Sequence, residues 1–319
     1  MICEEKQVQR TVTMLNKKIF LTALTGCTFL FTSFKISNSK AGLLQRQTIK
    51  TIVVDAGHGG EDGGAKGKYS YEKDLTLQIA LKLQKTLQLA MPDINVVMTR
   101  TTDVFDNPKE KADKANAANG DLFISVHCDA APPQKHSEVT GYKTQTYYTG
   151  KGKSRKKRTR KVPTYRTWYT PNPAKGASTY IWAVHKNDDK ELAMRENESL
   201  YIDSTLGSQF EGFDPDSPEK RILYTLKTQQ YFERSAKLAL TVEEEFEQVG
   251  RAVRGALQRQ VGIWVLQAVA MPSVLVETGY ITNPEEEEYL NSEKGQQETA
   301  DAITKAVQRY RYSLENPSN

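Results

Sequence analysis

Cysteine, histidine and long apolar runs are all scarce in this chain. Among 319 residues there are three cysteines and four histidines. The longest mostly apolar run, Ile19 to Phe34, is about 16 residues long, whereas a membrane-spanning helix needs roughly 20. No internal repeat is evident, which argues against solenoid architectures. The length and composition therefore fit one enzyme domain with additions.

The N-terminal region has the pattern of a secretory leader. Residues 1–13 are polar and mixed in charge, so we interpret them as an extension ahead of a true start at Met14. A basic pair, the apolar run and small residues then follow, which predicts a signal peptide over 14–41 and export to the periplasm or cell envelope. A second interpretation stays open, because Leu24 to Cys27 resembles a lipobox that would make Cys27 a lipidated residue.

Cleavage near residue 40 would leave Cys128 as the one remaining cysteine. An intrachain disulfide is then impossible even in an oxidising compartment. Cys128 follows His127 at the end of a predicted strand, where neighbouring side chains point to opposite faces. We therefore expect Cys128 to be a small buried apolar residue.

A glycine-rich turn carries His58 directly after the apolar strand Thr51 to Val54. Glycines there allow the backbone to fold tightly around a ligand. A histidine in such a turn is more often a structural hydrogen-bonding residue than a metal ligand. The turn by itself does not decide between the two.

Two further residues can join His58. Glu72 begins an amphipathic helix predicted over Tyr71 to Ala90, and His127 ends the apolar strand that starts at Asp121. In a parallel α/β sheet, ligands gather at the carboxyl ends of the strands. Two histidines and one carboxylate are a common ligand set for catalytic zinc, with a fourth position left open. Taken alone, Glu72 is equally well explained as a first-turn acid favoured by the helix dipole.

Glu277 follows four apolar or small residues in a third predicted buried strand, Ser273 to Glu277. An acidic residue at the end of a buried apolar strand is more readily explained by a functional role. The alternative is a capping role before the surface helix predicted to begin at Asn283 and Pro284 and to continue through Glu285 to Glu288.

Four blocks in this order, Val53 to Ala65, Glu72 to Leu75, Phe123 to His127 and Pro272 to Asn283, resemble the zinc-dependent N-acetylmuramoyl-L-alanine amidases of the cell-separation type. The resemblance implies a single α/β catalytic domain over residues 48–315, with a mostly parallel, six-stranded twisted sheet and helices on both faces. The implied substrate is peptidoglycan, cleaved between N-acetylmuramic acid and L-alanine during wall remodelling or daughter-cell separation.

The same resemblance assigns the site residues. His58, Glu72 and His127 would hold one Zn²⁺, and Glu277 would be the catalytic general base and acid. The enzyme is expected to act as a monomer. Three positions depart from the family's usual sequence motifs: Ala56 replaces proline, Asp129 replaces asparagine and Tyr280 replaces phenylalanine. None of the three is a predicted ligand.

A strongly basic segment interrupts the domain. Eight of the eleven residues from Lys151 to Lys161 are lysine or arginine, although the whole chain has a net charge of only +5. Nearby glycines and prolines predict a loop insertion over 150–175. Such a cluster attracts nucleic acid, anionic lipid or an anionic wall polymer without selecting among them. The predicted export argues against nucleic acid as the partner. The alternative to an enzyme is therefore a catalytically inactive protein that binds peptidoglycan or another polyanion.

The segment 186–250 is longer than a simple connection and is rich in helix formers. In the resembling amidases, an insertion in this region can block the zinc site until an activator protein withdraws it. This predicts a regulatory helical insertion, with an acid such as Glu211 over the metal, although a lid that shapes the substrate groove fits equally well. His185, and less so His136, are candidates for assisting the oxyanion or substrate.

Overall fold

The computed structural model describes residues 48–183, 218–258 and 263–316. Eight strands are present in this part of the chain: β1 (Thr51–Ala56), β2 (Asn95–Met98), β3 (Leu122–Asp129), β4 (Gln134–Thr149), β5 (Lys156–Thr170), β6 (Ala177–Ile181), β7 (Val253–Gln258) and β8 (Ser273–Tyr280). The described helices are α1 (Glu72–Ala90), α2 (Pro108–Ala117), α3 (Pro218–Gln248), α4 (Trp264–Ala268), α5 (Pro284–Asn291) and α6 (Glu293–Glu315).

Six of the strands form one sheet in the order β2-β1-β3-β8-β6-β7. Every neighbouring pair is parallel except β6 with β8, which is antiparallel. The predicted six-stranded, mostly parallel sheet is therefore confirmed. Parallel strands covered on both faces read as continuous apolar runs, and this explains why β1, β3 and β8 are buried along nearly their whole length.

The two faces of the sheet build two hydrophobic clusters. Alternate residues of the central strands, such as Val54, Ile124 and Val276, pack with the apolar sides of α1, α3 and α6. The intervening residues Val53 and Phe123 pack on the opposite side with α2 and α4. This separation follows from the period-2 alternation of side chains along a strand. The predicted helical layers on both faces are confirmed.

Helix α3 corrects one expectation about the segment 186–250. Part of the predicted helical segment is present as α3, but its residues Leu238, Val242 and Phe246 are buried in the larger cluster. The part of α3 that carries these residues therefore belongs to the core and not to a separable insertion. Residues 186–217, with Glu211, and His185 lie outside the described residues.

The basic segment is also corrected. Residues 150–175 were expected to form a loop, whereas β4 and β5 form a long antiparallel hairpin with a short 3₁₀ turn at Gly152–Ser154 near its tip. Most side chains on both strands are exposed. A strand that buries neither face has no apolar alternation, and that alternation is the pattern by which strands are predicted.

No helix among the described residues is long and apolar enough to cross a lipid bilayer. The predicted extension (1–13), the signal peptide (14–41) and Cys27 all lie outside the described ranges.

Helix α5 begins at Pro284, as predicted, with Asn283 as its N-cap. It is not, however, purely a surface helix, because Glu286 and Glu287 are buried. Glu287 accepts hydrogen bonds from the backbone N–H groups of Lys68, Tyr69 and Ser70 and from the Ser70 hydroxyl, at 2.8–3.0 Å. This carboxylate fixes the segment that leads into α1.

We expect Glu287→Gln to lower the free energy of unfolding by roughly 1–3 kcal/mol, because an amide cannot accept this set of N–H groups as a carboxylate does. Burial raises the pKa of Glu287, but these hydrogen bonds lower it more, so the net pKa is below its usual value. The stabilisation is therefore present above the ordinary glutamate pKa and is lost as pH falls through the lowered one. Thermal unfolding at several pH values checks this, and a constant difference between variant and wild type would contradict it.

Candidate active site

The three predicted metal ligands meet at the carboxyl end of the sheet. His58 follows β1, Glu72 begins α1 and His127 lies near the end of β3, which pairs with β1. One ligand atom from each residue lies within 4.8 Å of the others. The sequence prediction that these side chains converge is confirmed.

Backbone geometry brings the side chains this close. His58 itself has a left-handed backbone, with φ of 58°, which is uncommon for a residue with a side chain and is found at functional sites. A Cβ added at Gly57 would lie 2.5 Å from the His127 ring, and one at Gly64 would lie 2.6 Å from His58 and 2.7 Å from Glu72. Side chains at these two positions would fill the space in which the three residues meet.

Glu72 lies between the two histidines. Its Oε1 is 2.9 Å from His127 Nδ1 and its Oε2 is 3.1 Å from His58 Nε2. The same oxygens accept hydrogen bonds from the backbone N–H groups of Cys128 and Ala65. Burial would raise the pKa of Glu72, but its hydrogen bonds to the histidines hold that pKa well below its usual range. The carboxylate is therefore a fixed negative charge.

His58 has a second acidic partner, because its Nδ1 lies 2.8 Å from Asp62 Oδ2. Burial lowers the pKa of His58, but Glu72 and Asp62 outweigh burial and raise that pKa to about 9. The pocket thus favours a positive charge at this imidazole. A carboxylate on Nδ1 also orients the ring and presents Nε2, an arrangement that is typical of metal-ligating histidines.

Glu277 stands directly beside this group. It is the residue of β8 paired with His127 in the parallel ladder, and it is buried. A cavity of about 520 Å³ opens between them. The cavity is lined by Asp55, His58, Asp62, Ala65, Glu72, Phe105, Asp106, Pro108, Lys111, His127, Cys128, Asp129, Ala130, Ile263, Trp264, Val265, Leu275 and Glu277. All four predicted site residues therefore face one cavity.

A buried ion pair among the cavity-lining residues was not predicted from the sequence. Lys111 Nζ is 3.0 Å from Asp55 Oδ1 and donates to the carbonyl of Ala56 at 2.6 Å. Asp55 also accepts hydrogen bonds from Thr99 and Ser125. Burial raises the pKa of Asp55, but Lys111 and these hydroxyls hold it below its usual value. The pair anchors the end of β1, from which the His58 turn departs.

Asp129 and Tyr280, which depart from the family's usual motifs, both contact Arg254, a residue not singled out from the sequence. Arg254 on β7 donates to Asp129 Oδ2 at 2.7 Å and to the Ser178 hydroxyl at 2.5 Å, and its guanidinium lies 4.5 Å from the centre of the Tyr280 ring. The Asp129 carboxylate, at the rim of the cavity, is therefore charge-compensated. The acidic residue and the tyrosine are accommodated by one arginine.

Neither Cys128 nor His136 belongs to the group of four predicted site residues, although Cys128 lines part of the cavity. Cys128 is buried and its thiol packs in the larger hydrophobic cluster, as predicted, while its backbone N–H contacts Glu72. Burial raises the pKa of that thiol. His136 is on the hairpin, where it bonds to Thr170 and stacks on Trp168, and it does not line the cavity.

Comparison with known proteins identifies the family. The family model Amidase_3, described as N-acetylmuramoyl-L-alanine amidase, matches residues 52–309. The chain belongs to this family. The amidase AmiC of Escherichia coli O6:H1 is 30% identical over 275 residues, which are 86% of this chain and 56% of the relative. AmiA of E. coli K12 is 27% identical over 271 residues, 84% of this chain and 78% of the relative.

Solved structures of N-acetylmuramoyl-L-alanine amidases have the same architecture. An N-acetylmuramoyl-L-alanine amidase from Clostridium difficile 630 is 26% identical, with a TM-score of 0.51. The match covers 84% of this chain and 99% of the amidase. AmiC2 of Nostoc punctiforme has the same fold, with 22% identity, a TM-score of 0.50 and coverage of 82% and 96%. The chain spans about half the length of the AmiC relatives from E. coli and Neisseria meningitidis, at 56% and 52%.

Proposed function

We propose that this member of the Amidase_3 family is a zinc-dependent hydrolase that cleaves the amide bond between N-acetylmuramic acid and L-alanine in peptidoglycan. The observation that carries the proposal is the meeting of His58, Glu72, His127 and Glu277 around one cavity. Family membership supports the choice of substrate. The alternative, a silent wall-binding protein, is less well supported because a residue suited to proton transfer lies beside the donor set.

The donor set fits zinc. Two imidazole nitrogens and one carboxylate oxygen, each within 4.8 Å of the others, match the three-residue set of catalytic zinc sites, and the cavity leaves room for a fourth ligand. His58, Glu72 and His127 would hold the ion. When bound, Zn²⁺ supplies Lewis acidity that polarises a carbonyl and acidifies water.

The protein's own groups perform the remaining steps. Glu277 takes a proton from the attacking water and delivers one to the departing amine nitrogen of L-alanine. Its pairing with His127 in the sheet places this carboxylate beside the donor set. Asp62 keeps the His58 ring oriented through Nδ1. Asp129, which lines the cavity and is held by Arg254, offers a polar group to a substrate lying there.

Digestion of purified sacculi tests the proposal. The zinc-loaded protein should release stem peptides with a free L-alanine amino group and leave glycan strands with intact lactyl groups, which mass spectrometry distinguishes from glycosidase and peptidase products. Metal analysis of the same sample shows whether the tested protein carries zinc, and the release of stem peptides then separates the two candidate functions. A protein that binds zinc and sacculi but releases no stem peptides would support the silent binder.

Asp62→Ala should weaken zinc binding about tenfold or more, because the carboxylate that orients His58 is lost. The neighbouring exposed residue provides the matched control, and Glu61→Ala should leave the affinity unchanged. Zinc titration monitored by calorimetry measures both. Equal zinc affinities of the two variants would show that Asp62 does not support the metal site.

We further propose that the chain is exported, acts as a monomer and serves wall remodelling or cell separation. Regulation by an activator protein through the segment 186–217 is part of this proposal and is supported by the family resemblance alone. Deleting that segment should raise basal hydrolysis of sacculi if it is inhibitory. A folded deletion variant with unchanged or lower activity would reject the inhibitory role.

A further inference from the structure

The hairpin β4–β5, residues 134–170, concentrates the positive charge of the chain. It contains eleven lysines and arginines and a single acidic residue, Glu138. Because the hairpin carries ten net positive charges and the whole chain only five, the remaining residues together carry five net negative charges. The small net charge of the protein therefore conceals a strongly polarised molecule. Such a surface attracts a polyanion at long range.

The register of the hairpin arranges the cations in rows. Lys156, Arg158 and Arg160 alternate along β5, so their side chains share one face. Tyr147 and Lys143 are paired with β5 residues of the same face. The Cα atoms of neighbouring basic residues in such a row are about 6.7 Å apart, since each residue of a strand advances the chain by about 3.3–3.4 Å.

The opposite face combines cations with aromatic rings. Lys157 and Lys161 lie on this face of β5. Four tyrosines share it and are 53–69% exposed: Tyr142, Tyr148, Tyr165 and Tyr169. Exposed rings present flat faces of negative potential on which the C–H groups of a sugar can stack. The hairpin therefore offers stacking surfaces as well as charge.

The cationic groups are oriented by neutral partners. Arg160 Nε donates to Gln145 Oε1 at 2.9 Å, and the Arg155 guanidinium lies 4.2 Å from the centre of the Tyr148 ring. Among the described residues, the one ion pair within the hairpin joins Arg166 to Glu138 at 3.8 Å. Neutral partners hold an arginine in place without cancelling its charge. The hairpin thus keeps its attraction for an external anion.

We propose that the hairpin binds an acidic polysaccharide, a sugar polymer bearing carboxylate or phosphodiester groups, and thereby tethers the catalytic domain to the cell wall. The choice of a wall polymer over a nucleic acid rests on the proposed function. A planar lipid surface would engage only one face of the hairpin, whereas both faces carry cations and aromatic rings. A chain-like partner fits this two-sided surface.

The test measures binding of the full chain to fluorescently labelled polygalacturonate at about 0.1 M salt, with neutral dextran as the uncharged comparison. Wild type should bind the acidic polymer and not dextran. The triple variant Lys156→Gln, Arg158→Gln and Arg160→Gln should bind about tenfold more weakly, with a smaller dependence on salt, because three cations of one row are removed. Tyr142→Ser with Tyr165→Ser should weaken binding while leaving the salt dependence unchanged.

The matched control removes the same charge elsewhere. Lys85, Lys294 and Lys305 are exposed residues of α1 and α6, and their joint replacement by glutamine should leave binding unchanged. Hydrolysis of a soluble muramoyl peptide should be the same in all of these variants. The hydrolysis assay therefore reports amidase activity, and the polymer-binding assay reports the hairpin's function independently of it. Equal binding by the hairpin and control triples would overturn the proposal. Tighter binding to single-stranded DNA or to phosphatidylglycerol vesicles than to polygalacturonate would also overturn it.

Discussion

Glu277→Gln should lower kcat/KM for a soluble muramoyl peptide by about 10²- to 10⁴-fold, the usual contribution of a positioned general base and acid. Glutamine keeps the size and much of the packing of glutamate but cannot take or deliver the proton. Zinc content should stay at one ion per chain, because Glu277 is not among the three proposed ligands. Steady-state hydrolysis and elemental analysis of the same sample provide the two measurements.

The control for this prediction is another glutamate with a largely inaccessible side chain. Glu243 on α3 bonds to the Thr179 hydroxyl and to the backbone N–H of Gly255, and it does not line the cavity. Glu243→Gln should therefore retain most of the activity, even where it costs some stability. Wild-type turnover by the Glu277 variant would show that another group moves the proton. Loss of zinc from that variant would instead indicate that Glu277 is itself a metal ligand.

The central sheet and the convergence at its edge were predictable because their signals are local. Each central strand is a short apolar run, and His58 and His127 stand where such runs end. Strand ends in a parallel sheet share one edge, so the meeting of these residues with Glu72 and Glu277 followed from their positions. Their roles as ligands and as proton carrier are proposals that the experiments above address.

Other parts of the site depend on partners distant in sequence. Glu287 is buried because it bonds to backbone groups 217–219 residues away, and the sequence Glu285 to Glu288 reads simply as a polar helix start. Arg254 and Asp129 are separated by 125 residues. Neither pairing leaves a periodic pattern along the chain. The folded chain reveals both contacts: helix α5 reaches the segment before α1, and the sheet places β3 and β7 near each other across β8 and β6.

Hairpin β4–β5 escaped prediction for a different reason. Strands are recognised by the apolar face that they bury, and a ribbon exposed on both faces has none. Its lysines, threonines and tyrosines therefore read as a solvated loop. The antiparallel register supplies the information that composition lacked, since it shows which cations and rings share a face. That arrangement turns a cluster of charge into a specific binding proposal.

Glu72→Gln should reduce zinc affinity more than about 100-fold, beyond the 10- to 100-fold cost of losing a group that only orients a ligand. Glu72 is the one negative charge between His58 and His127, at 3.1 and 2.9 Å from their nearest nitrogens. Glutamine would remove that charge. It would also turn an NH₂ group toward one of two backbone N–H donors, those of Ala65 and Cys128.

Calorimetric titration with Zn²⁺, together with thermal unfolding of the metal-free and metal-loaded protein, separates these two effects. Wild type should gain thermal stability on adding zinc, since an ion that binds only the folded state stabilises it, and the Glu72 variant should gain little at the same concentration. Chelation should abolish hydrolysis by wild type, and added zinc should restore it. An unchanged zinc affinity in Glu72→Gln would mean that the ion is held by a different set of residues, and the assignment of this cavity as the metal centre would then fail.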